Sequence, residues 1–173
     1  RGNTASGITS TAFGEFNTAS GNISTAFGNG ALASGILSTA FGKLTNAIGN
    51  NTTAFGMRTT ASGVKSTVFG TVNIARSFGE TAIGIGSTNY SITANGDSQF
   101  RTANATDRLF VIGNAIDANN NDTVDLTELS DALVILKNGN TGIGSSTPIE
   151  RLHVAGKSLF TNGFSADNAA LIY

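Results

Sequence analysis

The sequence predicts an all-β protein whose first half is a solenoid of short coils, and its repeats are the basis for that prediction. The phrase Thr-Ala-Phe-Gly, or a close copy, returns every 14 residues from Phe13-Gly14 to Ile83-Gly84. A second phrase, Ala-Ser-Gly or a close copy, returns half a repeat away, beginning at Ala5-Ser6-Gly7. A short fixed period is typical of solenoids, in which each coil buries its apolar face against its neighbours.

A period of 14 also equals two heptads, but the composition excludes a coiled coil. Each glycine costs a helix roughly 1 kcal/mol, and the Thr, Ser, Asn and Phe between the glycines are poor helix formers. Collagen requires glycine at every third residue, and this chain has glycine near every seventh residue and a single proline. The remaining interpretation is a parallel β-roll whose coils each have two short strands joined by glycine turns.

Alternation along the Thr-Ala-Phe strand decides which side chains enter the roll. Ala12 lies on one face of the strand, and Thr11 and Phe13 lie on the other. Because such a small coil has a thin interior, we expect the small residue to point inward. The predicted inner column contains Ala12, Ala26, Ala40, Ala54, Val68 and Ala82.

The large apolar residues then form a column on the outside of the roll, about 24 Å long at the usual strand spacing. This column contains Phe13, Phe27, Phe41, Phe55, Phe69 and Ile83. An apolar column of this size is rarely exposed to water, and the simplest way to bury it is contact with the same column on another copy of the chain. At about 2 kcal/mol for each buried Phe, association would stabilise a chain by an amount similar to the folding free energy of an ordinary domain.

The repeat unit, Ser-Thr-Ala-Phe-Gly followed seven residues later by Ala-Ser-Gly, resembles the head repeats of YadA-like trimeric autotransporter adhesins. Those repeats read approximately Asn-Ser-Val-Ala-Ile-Gly with a partner Ala-x-Gly. The resemblance covers residues 1–88 and implies a left-handed parallel β-roll, an intertwined homotrimer and an extracellular location. Phe replaces the usual aliphatic residue here. The half-repeat glycine is lost at Ala75-Arg76-Ser77, where we expect the roll to end.

From residue 89 the period stops, and residues 89–173 are predicted to form a second, β-rich fibre or connector domain. Runs at 107–114, 131–136 and 152–154 predict short strands, and Asn138-Gly139 predicts a hairpin turn before Thr141. This stretch resembles a segment of Bacteroidota surface fibres and phage tail fibres that commonly precedes an endosialidase-type chaperone. The resemblance implies neighbouring fibre modules and a location on a cell surface, a virion or an injection-system tail.

Residues 117–128 have the spacing of an EF-hand or dockerin-type calcium loop. The predicted ligands are Asp117, Asn119, Asn121, Thr123 through its backbone carbonyl, Asp125 and Glu128. Asp122 departs from the pattern because it replaces the glycine of the sharp bend, although Asp tolerates the left-handed conformation better than most residues. A polar surface loop between two strands would have a similar composition, so both interpretations stay open.

The composition argues against several other functions. The chain has no cysteine, so disulfides and thiolate metal sites are excluded. A net charge of −1, with ten Lys and Arg spread along the chain, offers no basic patch for nucleic acid. The sequence has no apolar run of about 18 residues, so no membrane segment is predicted within it. The single histidine, His153, lies on a predicted strand, where a structural or surface role is expected rather than catalysis.

Together these features predict a structural, adhesive segment of a trimeric extracellular fibre that attaches to a surface receptor or glycan and is not an enzyme. One alternative is a tailspike-like fibre that degrades a glycan, which needs paired carboxylates. The only acids of the roll, Glu15 and Glu80, are nearly five coils apart. Another alternative is an ice-binding solenoid, because Thr11 begins a regular Thr column. That column shares a face with the Phe column, which favours an interface.

Overall fold

The computed structural model describes residues 2–158, and within this range the strands form two sheets. Each complete coil of the repeat region contributes one strand of five residues to the larger sheet and one strand of two residues to the smaller sheet. The predicted all-β solenoid with parallel sheets is confirmed. Both strands predicted for each coil are present, and the second is the shorter because the backbone turns on both sides of it.

The smaller sheet holds six parallel strands in chain order, and it ends at the place where the half-repeat glycine is lost. Its strands are β1 (Thr4–Ala5), β3 (Thr18–Ala19), β5 (Leu32–Ala33), β7 (Asn46–Ala47), β9 (Thr60–Ala61) and β11 (Ile74–Ala75). The repeat strands of the larger sheet are β2 (Thr11–Glu15), β4 (Thr25–Asn29), β6 (Thr39–Lys43), β8 (Thr53–Met57), β10 (Thr67–Thr71) and β12 (Thr81–Ile85).

Neighbouring coils are stacked without a slip in register, so like residues lie above each other. Ala26 pairs with Ala40 and Phe27 with Phe41, and the same offset of 14 holds along the repeat strands. The inner Ala residues from Ala26 to Ala82, with Val68, are fully buried, as the sequence predicted. Ala12 is half-buried and packs against this core.

The close stacking requires glycine at the half-repeat position. A Cβ atom built on Gly35 would lie 1.9 Å from the carbonyl oxygen of Gly49 in the next coil. The corners of the coils impose a different constraint, because Ile23, Leu37 and Leu44 hold positive φ angles of 55° to 56°. Bulky residues rarely adopt that conformation, so stacking between coils must overcome a local backbone cost at these corners.

The larger sheet continues beyond the repeats into the second half of the chain. Strand β13 (Arg108–Asn114) pairs in parallel with β12, and β14 (Asp131–Leu136) pairs antiparallel with β13. Strand β15 (Thr141–Ile143) follows as the second arm of the predicted hairpin, and β16 (Leu152–Val154) pairs in parallel with β15. The strands predicted in this half are therefore present. The boundary between domains at residues 88 and 89 stays a prediction.

The segment between β12 and β13 contains a short 3-10 helix, Thr102–Asn104, and lies against the last coils of the roll. The backbone N–H of Phe78 donates to the carbonyl of Gly96 at 2.7 Å, and the N–H of Val64 donates to the carbonyl of Asp97 at the same distance. The segment therefore supplies hydrogen-bond acceptors that the next coil would have supplied if the repeat had continued.

Candidate association surface and candidate calcium loop

The predicted outer column lies on the surface of the larger sheet. The Phe side chains from Phe13 to Phe69 are between 38% and 64% exposed, and Ile83 is half-buried at the end of the series. Their Ala neighbours on the same strands are directed into the roll. The alternation of the strand thus places the largest apolar side chains of the repeat outside, as the sequence indicated.

The rings of this column stack on one another. Ring centroids lie 5.1 Å apart for Phe13 and Phe27, 4.7 Å for Phe27 and Phe41, and 4.9 Å for Phe41 and Phe55. Phe69 is tilted by 45° and lies 6.0 Å from Phe55. Parallel stacking holds the rings in one orientation, so the column presents a continuous apolar ridge rather than isolated side chains.

A column of threonines lies on the same outer face as the Phe column. Each of these threonines comes one residue before the inward-facing Ala or Val of its strand. Thr25 pairs with Thr39 and Thr67 with Thr81 in the parallel register. The first three threonines are exposed and the later three are half-buried. No charged residue stands in either the Phe or the Thr column. Charged residues of these strands, Glu15 and Lys43, stand at the strand ends, so the two columns themselves form an uncharged stripe along the face.

The candidate calcium loop is closed by its own carboxylates. Glu128 accepts a hydrogen bond from the N–H of Ala118 at 2.8 Å through one oxygen and from the N–H of Asp125 at 2.9 Å through the other. Asp117 accepts from the N–H groups of Asn121 and Asp122 at 3.2 and 2.8 Å. Glu128 therefore joins the two ends of the loop, and Asp117 holds its middle turn.

The remaining predicted ligands lie within the same loop. Asp125 accepts from the side-chain amides of Asn119 and Asn121 at 2.8 and 3.1 Å, and Asn121 accepts from the N–H of Thr123 at 2.9 Å. Asp122 adopts a φ of 59°, the left-handed conformation that glycine usually supplies at this position of the loop. Calcium binding itself stays a prediction. Within residues 2–158, no group of three or more His, Cys, Asp and Glu side chains is placed to hold a metal ion.

The loop also borders a cavity of about 320 Å³ against the roll. Asp117, Asp122 and Val124 line one side of the cavity, and Arg58 and Val72 line the other. The predicted ligand Asp117 therefore contributes both to the loop and to the cavity wall.

A buried polar cluster, which the sequence reasoning missed, lies where the repeat ends. Glu80 is fully buried, and its carboxylate accepts from the N–H groups of Arg76 and Ser77 and from the hydroxyl of Tyr90 at 2.8 to 3.0 Å. Burial raises the pKa of the Glu80 carboxyl above its ordinary value. Burial also raises the pKa of the Tyr90 hydroxyl, and the nearby charge of Glu80 raises it further.

Arg108 forms the second half of this cluster. Its guanidinium lies 2.8 Å from the carboxylate of Asp131 and 4.5 Å from the centre of the Tyr90 ring, and it donates to the carbonyl of Thr88 at 2.8 Å. Both members of this ion pair are almost completely buried. Nearby, burial lowers the pKa of Lys137 below its usual range, against the opposing charge of Asp107.

A signal for this cluster was present in the repeat. Glu80 stands in the column that otherwise contains Ser10, Ser24, Ser38, Thr52 and Ser66. A charged residue at a buried hydroxyl position marks the point where the coil stops repeating and needs new partners. Within the last coils, Ser77 also replaces the half-repeat glycine and is fully buried.

His153 lies on β16 and pairs in register with Gly142, which belongs to the inner column of the sheet. Its ring nitrogen Nδ1 lies 3.4 Å from the hydroxyl of Ser145. This placement supports the structural or surface role that the sequence indicated.

The comparison with known families supports the resemblance that the repeats suggest. A model of the YadA head domain repeat matches twice, at residues 5–31 and 33–59. Residues 5–31 and 33–59 are therefore similar to YadA head repeats, and they form coils of the β-solenoid here. No curated protein matches the chain. The predicted resemblance of the later segment to fibre segments that precede a chaperone stays a prediction. Among the described residues no helix is long and apolar enough to cross a membrane.

Proposed function

We propose that this chain is a structural and adhesive segment of a trimeric extracellular fibre that attaches to a surface receptor or glycan. The observation that carries the proposal is the exposed, stacked Phe column, which lies beside an uncharged Thr column. The matched YadA head repeats support it, because the adhesins that this sequence resembles are trimers. The fibre would lie on a cell surface or on a virion or injection-system tail, joined to neighbouring fibre modules.

A threefold arrangement suits the direction of the column. The Phe residues run along the stacking direction of the coils, since each Phe pairs with the Phe of the next coil. A rotation axis parallel to that direction brings the same ridge of each copy to the centre and closes the ring without leaving an open end. The rings are already about half covered, so burying the rest contributes roughly 1 kcal/mol per ring, or about 5 kcal/mol for each chain.

The proposed adhesive role follows from repetition. Coils that are nearly identical provide length, and a trimer presents three copies of any binding surface at once. Three weak sites engaged together raise the apparent affinity by about 10²- to 10⁴-fold over one site. The less regular second half offers the greater surface variety, and we assign receptor or glycan contact to it. In this proposal the chain has no catalytic role.

Sedimentation of the intact chain tests the association. Replacing Phe27, Phe41 and Phe55 with Ser should convert a trimer to monomers, because the polar side chains remove the apolar surface that would be buried. The matched control replaces three other exposed apolar residues, Ile116, Leu126 and Ile149, with Ser and should remain trimeric. A wild-type chain that sediments as a monomer, or a Phe variant of unchanged mass, would contradict the proposal.

Binding of the same two proteins to a glycan array and to cells tests the adhesive role. The trimer should bind at least one surface, and the monomeric Phe variant should bind it about 10²-fold less tightly. Equal binding by both proteins, or binding by neither, would remove the adhesive part of the proposal and leave the trimer intact. Release of shortened glycan by the trimer would instead favour the glycan-degrading alternative.

A further inference from the structure

We infer that the association surface does not end with the repeats but continues through β13 to β16 as far as Val154, so that the second half of the chain packs around the same axis. The inference rests on the proposed trimer and extends it. It identifies the partner of these four strands as the same strands in other copies.

The pairing register carries the Phe column into the second half. Ile83, the last member of the column, pairs with Ile112 on β13, and Ile112 pairs with Leu133 on β14. Leu133 pairs with Ile143 on β15, and Ile143 pairs with Val154 on β16. Paired residues in a sheet point to the same side, in parallel and antiparallel ladders alike. One apolar column therefore crosses all ten strands of the larger sheet as it is described.

Burial shows which face this column occupies. Val111 and Val134 are fully buried, and they continue the inner Ala column through the pairs Ala82 with Val111 and Val111 with Val134. Since side chains alternate along a strand, Ile112 and Leu133 lie on the opposite, outer face. Ile143 remains 48% exposed there, so the extension offers surface for a partner to cover.

The neighbouring column changes from threonine to larger apolar residues as it leaves the repeats. Thr81 pairs with Phe110, Phe110 with Ile135, Ile135 with Thr141, and Thr141 with Leu152. None of these residues is charged, although charged residues are frequent elsewhere in this half of the chain. A face that becomes more apolar while its surroundings become more charged is typical of a covered surface.

The dimensions of the surface identify its occupant. Ten strands at the usual strand spacing give a ridge about 43 Å long, and a complementary partner must repeat its features at that same spacing of about 4.8 Å. Another copy of this chain, related by an axis parallel to the ridge, has that period and length by construction. Five half-exposed Phe side chains offer roughly 500 Å². The other residues of the two columns bring the total towards the area of about 800 Å² per partner that a stable interface needs.

If other copies of the chain cover the outer faces of β13 to β16, the receptor must bind to the segments between strands, residues 86–107 and 115–130. These two segments contain highly exposed apolar side chains away from the column, Phe100 at 72% and Leu126 at 78%.

Single cysteines test the inference directly, because the chain has none of its own. Phe41→Cys reports on the repeat part of the ridge, Ile143→Cys on the extension, and Leu126→Cys on an exposed apolar site outside it. Each intact variant is treated with a short bis-maleimide at micromolar chain concentration, and linked chains are measured on a denaturing gel. Thiols held together on one axis have a millimolar effective concentration, so the first two variants should link at least about tenfold more than Leu126→Cys.

The outcomes separate the inference from the proposal beneath it. Linking at Phe41→Cys with only control levels at Ile143→Cys would overturn the continued ridge and leave the trimer of the repeats standing. Control levels at both positions would overturn the trimer itself. If Ile143→Cys does not fold by circular dichroism, Leu152→Cys in the neighbouring column, 56% exposed, takes its place with the same expectation.

Discussion

Tight stacking of the coils predicts that adding one methyl group at Gly35 will damage the roll more than its size suggests. Gly35 does not have a positive φ angle, so alanine there meets a purely steric obstacle. Its Cβ would lie 1.9 Å from the carbonyl oxygen of Gly49, whereas ordinary contact begins near 3.4 Å. The two coils would have to separate locally by about 1.5 Å, because the obstacle is backbone and not a flexible side chain.

That separation would break the hydrogen bonds that join the coils at this corner. The N–H groups of Ser34 and Gly35 donate to the carbonyl of Ala47 at 3.0 and 3.3 Å, and the N–H of Ile36 donates to the side chain of Asn50 at 3.0 Å. At about 1 kcal/mol net for each bond, Gly35→Ala should reduce the free energy of unfolding by roughly 3 kcal/mol or more.

Gly79 provides the matched control. A Cβ there would meet no atom within 4 Å, but the residue has a φ of +68°. Gly79→Ala should therefore cost only the left-handed penalty of about 1 to 2 kcal/mol. Guanidinium unfolding, followed by circular dichroism at a fixed chain concentration, measures both variants. If Gly35→Ala proves no more destabilising than Gly79→Ala, the steric reasoning about coil spacing is wrong.

Two further predictions concern the second half of the chain. Calcium should raise the melting temperature of the intact protein, with a stabilisation of about 2.7 kcal/mol at a concentration 100 times the dissociation constant. Asp117→Ala with Glu128→Ala should abolish the effect, Asp97→Ala should not, and calorimetry without a binding signal would refute it. Because burial raises the pKa of Glu80, its contribution to stability is full below the ordinary value of 4.5 and is lost as the pH rises through the raised pKa. Glu80→Gln should therefore weaken the dependence of the melting temperature on pH above 4.5, and the same change at the exposed Glu15 should not. An unchanged slope in Glu80→Gln would contradict this assignment.

The repeat region could be predicted from the sequence because every coil has the same types of residue at the same positions. Ala26, Phe27 and Gly28 recur in register, so one strand's alternation decides the interior and the outer column for all the coils. The short second strand was harder to predict, since two residues such as Leu32 and Ala33 contain too little pattern to show where a strand ends.

The second half shows where such reasoning stops. Its strands and the hairpin after Leu136 follow from local apolar runs and turn residues. The sequence does not predict that these strands attach to the edge of the roll, because the pairing of Ile83 with Ile112 joins residues separated by an irregular segment. The buried pair of Arg108 and Asp131 was equally hidden, since each residue alone resembles a surface charge at a strand end.

The buried cluster and the added strands are both explained by the need to end a solenoid. A last coil exposes a strand edge and the end of its core, and both would invite unwanted association. Here β13 covers the edge of β12, and the segment that contains Gly96 accepts hydrogen bonds from the last coils. Glu80 replaces the small hydroxyl residues at that point, and it accepts hydrogen bonds both from Arg76 and Ser77 of its own coil and from Tyr90 of the incoming segment. In the proposed trimer, association would then use the outer apolar face and not the covered edge of β12, which is the geometry that a rod of parallel chains requires.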